Sequence, residues 1–175
     1  MNLEEVRKIK AKLKQLFNDT NVIDIILFGS YVKGKANPRD IDLALIVREK
    51  KSYIYEGFHV SIITANEWFT NHPSLATTLL REGYSIKNNK YLAESLLFKP
   101  KALYSYKLNN LNNSKKVRIV QILRGNKKEK GMIEKYNGEW LSNQVFIIPP
   151  EADSLFERFF TYQEINFEKK YILIH

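Results

Sequence analysis

Two apolar runs, joined through a Gly-Ser turn and a gap of defined length, constrain this chain more than any other feature. Residues 22–28 form a near-continuous apolar run, typical of a strand covered on both faces, and the run ends at Gly29-Ser30. After nine intervening residues, Asp40 and Asp42 stand two positions apart at the start of a second apolar run. Because alternate side chains of a strand share a face, we expect both carboxylates on one side, with their apolar neighbours in the core.

The chemistry of these residues favours a site for a divalent cation and a nucleotide. Two carboxylates on one face repel each other, and a cation or a shared proton relieves the repulsion. Such a pair suits Mg²⁺ carrying a nucleoside triphosphate. The backbone N–H groups of the Gly29-Ser30 turn and the Ser30 hydroxyl are donors for phosphate, and Lys33 is a further candidate contact. The alternative is a pair of solvent-facing acids at a sheet edge.

Gly29-Ser30, the gap and Asp40-Ile41-Asp42 resemble the signature of DNA polymerase β-type nucleotidyltransferases, especially their minimal single-domain members, over about residues 20–97. The resemblance implies an α/β (α+β) fold with a mixed sheet flanked by helices. It also implies that Gly29 and Ser30 hold the triphosphate, while Asp40 and Asp42 hold Mg²⁺ or Mn²⁺. The implied reaction moves a nucleoside monophosphate from a nucleoside triphosphate to an acceptor hydroxyl and releases pyrophosphate.

One position departs from the family pattern. The third carboxylate of the family, which activates the acceptor hydroxyl, falls here at Ser61. His59 precedes it by two residues on the same face of the predicted strand and is the replacement candidate for a base. We therefore predict Asp40, Asp42 and His59 as catalytic residues and leave turnover open.

Two other functions stay open on the sequence alone. A catalytically degenerate nucleotidyltransferase fold would serve as a nucleic-acid-binding module. An antitoxin-like protein would act beside a small helical toxin, as the resemblance to minimal family members implies.

Composition limits the class of protein. The chain of 175 residues is long enough for one domain or two small ones. It has no cysteine, which excludes disulfides and thiolate metal sites and fits a reducing compartment. It has neither a signal-peptide pattern nor an apolar run of the ~20 residues that span a bilayer. We expect a cytoplasmic protein without membrane contact.

Positive charge is concentrated in the middle of the chain. Residues 98–135 hold 11 Lys and Arg against 2 Asp and Glu, which equals the net charge of +9 of the whole chain. We expect a domain boundary here, with a nucleotidyltransferase-like domain over 1–97 and a small basic α/β domain of unknown type over 98–175. RNA or DNA is the expected partner of the basic segment, and a solvated lysine-rich surface is the alternative. The candidate contacts are Lys115, Lys116, Arg118, Arg124, Lys127 and Lys128.

The remaining elements follow from periodicity and turn residues. In the first part we predict a helix over 2–18, strands over 41–48 and 57–64, helices over 65–71 and 74–82, and a short helix between Ser30 and Gly34. In the second part we predict a helix over 114–123, capped by Ser114, with Val117, Val120 and Ile122 or Leu123 facing inward. Further elements are expected as strands over 103–108, 145–148 and 171–174 and as helices over 129–136 and 151–160.

Overall fold

The structure is a computed structural model, and it describes residues 3–34, 40–71, 73–126 and 129–175. The chain divides into two compact units, the first comprising residues 1–100 with 173–175 and the second comprising residues 101–172. Each unit combines helices with a sheet, so the predicted mixed α/β class is confirmed. The existence of two independent domains divided between residues 97 and 98 stays a prediction.

The sheet of the first unit carries the motif. Its strands are β1 (Val22–Phe28), β2 (Ile41–Val47), β3 (Phe58–Thr64), β4 (Tyr84–Ser85) and β5 (Lys90–Tyr91). Among the described residues their order in the sheet is β3-β2-β1-β4-β5. β1 runs antiparallel to β2 and β4, whereas β2 and β3 are parallel. The three long strands agree with the predicted ones to within one residue at each end.

Helices cover both faces of this sheet. Ile25 and Leu27 of β1 pack with α1 and α2 on one face, and Ile26 and Phe28 pack with α4 on the other. This two-sided burial explains why β1 is a continuous apolar run. The helices are α1 (Leu3–Lys12), α2 (Lys14–Asn18), α3 (Ala65–Thr70) and α4 (Ser74–Glu82), with a 3₁₀ helix over Leu92–Leu96.

Two helix predictions for this unit were wrong in detail. The helix expected over 2–18 is interrupted at Leu13, where Leu16 N–H bonds to the Leu13 carbonyl in a tighter i→i+3 arrangement. The short helix expected after Ser30 is a series of turns. Gly29 and Gly34 both have positive φ and bracket too few residues to nucleate a regular helix.

The second unit is built around buried aromatic side chains. Tyr104, Phe146, Phe156 and Phe160 are fully buried, and Tyr104 stacks on Phe146 with ring centroids 5.4 Å apart. The Tyr104 hydroxyl donates to the buried carboxylate of Asp153, so the polar end of this side chain is satisfied. The strands are β6 (Lys99–Lys107), β7 (Glu139–Ser142), β8 (Val145–Ile148) and β9 (Asn166–Ile174), in the sheet order β7-β8-β6-β9.

The helices of this unit are α5 (Asn113–Arg124), α6 (Met132–Lys135) and α7 (Asp153–Tyr162), with a 3₁₀ helix over Pro150–Ala152. The strand predicted over 145–148 is confirmed, and α6 is shorter than the helix predicted over 129–136. β6 and β9 begin earlier than the strands predicted over 103–108 and 171–174. α7 overlaps the helix predicted over 151–160, and β7 was not predicted.

The buried face of α5 agrees with the prediction at Leu123 and differs from it at Val117 and Val120. Ile119 and Leu123 are buried, whereas Val117 and Val120 are 56% and 36% exposed. Its N-cap is Asn112, not Ser114, because the Asn112 side chain accepts the Lys115 N–H at 2.8 Å. No helix in the described part of the chain is long and apolar enough to cross a membrane.

Candidate active site

The turn that follows β1 lies against the start of β2. Phe28, the last residue of β1, pairs with Asp42, so the Gly29-Ser30 turn comes beside this acid. Gly29 has a φ of +73°, in the left-handed region that glycine adopts readily. A Cβ at Gly29 would overlap the Asp42 carboxylate. The absence of a side chain therefore leaves the carboxylate directly against the turn.

The two predicted acids occupy different positions. Asp42 is the second residue of β2, and its side chain is 33% exposed. Asp40 immediately precedes the strand and is exposed. Residues 35–39, which lead into Asp40, lie outside the described residues. Asp42 is therefore the acid whose surroundings are defined.

Strand register determines which residue of β3 lies beside Asp42. Asp42 pairs with His59, whereas Ser61 pairs with Ala44. The His59 Nδ1 atom lies 3.3 Å from Oδ1 of Asp42, and the imidazole is exposed. Ser61, where the third carboxylate was expected, is one side-chain position further along the same face. The nearest β3 neighbour of Asp42 is thus a histidine.

Comparison with family models matches much more of the chain than the site residues. The model of the nucleotidyltransferase domain matches residues 6–174, nearly the whole chain. The chain belongs to the nucleotidyltransferase domain family. The resemblance inferred over about residues 20–97 is confirmed, and the match continues into the second unit. Membership supports nucleotidyl transfer as the general class of chemistry. No curated protein and no solved structure matches the chain.

This nucleotidyltransferase domain contains a buried acid that sequence reasoning missed. Glu82 is the last residue of α4 and is only 1% exposed. Its Oε1 accepts the Gly29 N–H at 3.1 Å, and its Oε2 lies 2.9 Å from Lys33 Nζ. Lys33, predicted to reach phosphate, is thus held beside the turn by an ion pair. The available signal was an acid at the end of the helix predicted over 74–82, directly before Gly83.

A tyrosine ties the other side of the turn to α1. The Tyr31 hydroxyl donates to Oε2 of Glu5 at 3.3 Å, and its ring packs on the core beneath β1 and β2. Burial, followed by the neighbouring Glu5 carboxylate, raises the pKa of Tyr31 to about 12. Tyr31 is therefore a neutral hydrogen-bond donor at physiological pH and keeps this anchor.

Asp40 and Asp42 alone do not complete the coordination of a metal ion. Within the ranges that the structure describes, no group of three or more His, Cys, Asp or Glu residues is placed to hold a metal ion. Mg²⁺, however, is usually held by one or two carboxylates, with water and substrate phosphate completing its octahedron. Asp40 and Asp42 are two carboxylates of this kind, and Asp42 lies against the Gly29-Ser30 turn. The donor set suits a cation that arrives with a nucleotide.

Two of the predicted nucleic-acid contacts of the second unit, Lys115 and Arg124, have protein partners. Lys115 lies 3.8 Å from the Glu164 carboxylate, and Lys116 is half-buried. The Arg124 guanidinium lies 4.0 Å from the centre of the Trp140 ring, in a cation–π arrangement. These side chains contribute to packing of the unit as well as to its charge.

Arg118 is exposed and lines an open groove of about 440 Å³ together with Lys130 and Lys135. Lys127 and Lys128 lie outside the described residues. Glu129 also lines the groove, and Lys130 forms an ion pair with Glu134 at 2.8 Å.

Proposed function

We propose that this protein is a metal-dependent nucleotidyltransferase that moves a nucleoside monophosphate from a nucleoside triphosphate to an acceptor hydroxyl, releasing pyrophosphate. The contact between Gly29 and Asp42 carries the proposal. It joins a turn suited to phosphate and a carboxylate suited to a cation, with no side chain between them. Family membership supports the same class of chemistry.

Asp40 and Asp42 would hold Mg²⁺ or Mn²⁺ together with the phosphates. When bound, the cation supplies charge neutralisation of the phosphates and lowers the pKa of a coordinated hydroxyl. The residues of the chain provide the positioning. Ser30 offers its hydroxyl and backbone N–H to phosphate oxygens, since the Gly29 N–H is already bonded to Glu82. Lys33 adds a positive charge at the same turn.

His59 is the proposed base. If Nδ1–H donates to the Asp42 carboxylate, Nε2 carries the lone pair and is available to accept the proton of the acceptor hydroxyl. The exposed position of the imidazole lets an acceptor approach. A proton transfer at Nε2 thus replaces the role of the family's third carboxylate.

The basic segment favours a second candidate function, binding of RNA or DNA. The charge of +9 over residues 98–135 and the groove bordered by Arg118, Lys130 and Lys135 support it. A nucleic acid bound there would be a candidate acceptor. A helical toxin as a protein partner, and a cytoplasmic location, stay predictions.

The decisive experiment is a label-transfer assay. The protein is incubated with each α-labelled nucleoside triphosphate, Mg²⁺ or Mn²⁺, and RNA, DNA or protein acceptors. We expect metal-dependent transfer, reduced at least about 100-fold by Asp42→Asn, the loss typical of a transition-state contact. Glu49→Gln is the matched control because it removes an exposed acid beyond the opposite end of β2. Equal transfer by wild type and Asp42→Asn would exclude this site, and polyanion binding without any transfer would favour the binding module.

A further inference from the structure

Glu82 stands out because a fully buried carboxylate is unfavourable unless specific partners compensate its lost hydration. Its exposure is 1%, and α4 lies on the face of the sheet that carries Phe28 and Ala44. Asp42 belongs to this face by strand alternation. The buried charge and the proposed metal ligand thus share one side of the sheet.

Both partners of Glu82 belong to the turn after β1. Oε1 accepts the Gly29 N–H at 3.1 Å, and Oε2 lies 2.9 Å from Lys33 Nζ. The Lys33 contact is an ion pair without the alignment of a hydrogen bond. One carboxylate therefore connects the glycine of the turn to the lysine four residues later.

The position of Glu82 depends on how the end of α4 packs against β1. Gly83 follows it, and a Cβ at Gly83 would overlap the Leu79 carbonyl and lie 2.9 Å from Cγ2 of Ile26. The missing side chain lets the end of α4 approach β1 closely. The Leu92 N–H bonds to the Gly83 carbonyl at 2.8 Å and ties the chain after this helix end. The close contact between α4 and β1 therefore places the Glu82 side chain beside the turn.

This arrangement has a chemical consequence for the turn. The Gly29 N–H donates to Glu82 rather than into the space beside Asp42. Its peptide orientation is held, so that its Cα faces Asp42 and Ser30 becomes the next available donor. Lys33 is 25% exposed, so its ammonium keeps access to solvent while paired. The Glu82 carboxylate is therefore positioned to orient the Ser30 donors, through Gly29, and the Lys33 ammonium. Both would bind a triphosphate.

We propose that Glu82 is the positioning residue of the triphosphate site, acting through the Gly29 N–H and the Lys33 ammonium without touching substrate. The inference rests on the proposed function of the Gly29–Asp42 site. It assigns to the end of α4 a role in nucleotide affinity, separate from helix packing.

The first test is a double-mutant cycle on the 175-residue chain. The dissociation constant of a Mg²⁺-bound, non-hydrolysable ATP analogue is measured for wild type, Glu82→Gln, Lys33→Gln and the double variant. We expect each single variant to bind about tenfold more weakly and the double variant to bind no more weakly than either, since both changes remove one arrangement. Additive losses, or tighter binding by Glu82→Gln, would overturn the proposal; tighter binding would mean that Glu82 competes with phosphate.

A matched control separates positioning from stability. Glu94 also accepts a backbone N–H, that of Tyr91 at 2.8 Å, within the same unit. We expect Glu94→Gln to lower the melting temperature without changing nucleotide affinity, whereas Glu82→Gln changes affinity. Parallel changes of both quantities in both variants would leave Glu82 a purely structural residue.

Amide exchange tests the anchor without nucleotide or metal. We expect the Gly29 amide to be protected in wild type and in Glu82→Gln, whose amide oxygen still accepts, and to exchange at least about tenfold faster in Glu82→Ala. Unchanged exchange in Glu82→Ala would overturn the proposal whatever the nucleotide result. If wild type binds no nucleotide, the proposed function fails, and the exchange result still decides whether Glu82 holds the turn.

Discussion

At the scale of single residues, Gly29 meets two demands at once. Its φ of +73° suits glycine, and its Cα lies against the Asp42 carboxylate. The positive φ is a property of the local backbone, whereas the contact with Asp42 depends on the strand that follows the gap. The two requirements are therefore independent of each other. The pair defines the candidate site more closely than the two carboxylates alone.

Gly29→Ala is expected to be destabilising and to impair nucleotide binding. The left-handed conformation costs a residue with a Cβ about 1–2 kcal/mol, and the overlap must displace Asp42. Gly57→Ala is the matched control, since Gly57 has a φ of +79° and no atom within 4 Å of a Cβ. Denaturant unfolding and thermal shift with Mg²⁺-ATP measure the two effects. We expect a shared loss of stability and a loss of the nucleotide shift only at Gly29; equal behaviour would show that Asp42 does not need the space.

A carboxylate introduced beside Asp42 should strengthen metal binding. His59 pairs directly with Asp42, whereas Ser61 pairs with Ala44. We expect His59→Asp to tighten Mn²⁺ binding about tenfold, or about 1.4 kcal/mol, and Ser61→Asp to have a smaller effect. His59→Asn controls for loss of the imidazole. Titration calorimetry with Mn²⁺ alone provides the measurement, and a larger gain at Ser61 would place the third family carboxylate there after all.

At the scale of elements, α3 begins with a capping box. The Thr64 hydroxyl accepts the Glu67 N–H at 3.1 Å, and the Glu67 carboxylate accepts the Thr64 N–H at 2.9 Å. Lys50 donates to the same carboxylate at 2.7 Å. The hydrogen bond from Lys50, followed by those from Thr64, lowers the pKa of Glu67 from 4.5 to about 2. The ionised form of Glu67 is therefore the one that stabilises the folded chain.

The stability that Glu67 contributes should depend on pH with a defined sign. Because its folded pKa lies below the unfolded value, the contribution is present above about pH 4.5 and is lost as the pH falls towards 2. Urea unfolding of wild type and Glu67→Gln should differ most at neutral pH and converge between pH 4.5 and 2. Exposed Glu49→Gln serves as the control and should show no such convergence. A difference that widens on acidification would contradict the assignment.

The phase of α5 shows how a local pattern misleads. Val117 and Val120 were predicted to face inward together with Ile122 or Leu123, yet Leu123 is buried together with Ile119. The pairs Val117–Val120 and Ile119–Leu123 both have helical spacing, so periodicity alone does not choose between them. The choice depends on the core that the sheet and α7 present, which is a tertiary property.

At the scale of the whole molecule, the net charge is carried by residues 98–135. We expect the chain to bind RNA or DNA with an affinity that falls steeply with salt, by about 0.7 to 0.9 in logarithmic slope per phosphate contact. Lys115 should contribute less than its charge suggests, because it pairs with Glu164.

A pair of triple variants isolates the groove. Replacing Arg118, Lys130 and Lys135 with Gln should flatten the salt slope by about two, through loss of two to three phosphate contacts. Replacing Lys8, Lys12 and Lys14 with Gln removes the same charge from the exposed side of α1 and α2. Salt titrations of labelled tRNA, single-stranded RNA and duplex DNA compare the two. Equal salt slopes for the two triple variants would mean that net charge alone determines binding. If micromolar protein binds none of these nucleic acids in low salt, the lysines form only a solvated surface.

Local patterns in the sequence determined much of this protein. The strands β1, β2 and β3 follow from apolar runs, because strand formation at those positions agrees with burial on both faces of the sheet. Gly29-Ser30 and Asp42 follow from turn chemistry and alternation, and the family match over residues 6–174 includes them.

Tertiary structure decided which residues complete the site. The register of parallel strands brought His59 rather than Ser61 to Asp42, and a shift by two residues would preserve every apolar face in β3. Glu82 lies 53 residues from Gly29 along the chain and reaches it only through the packing of α4 on β1. Sequence spacing carries information about neighbours within an element, whereas contacts between elements depend on the free energy of packing the complete sheet and its helices.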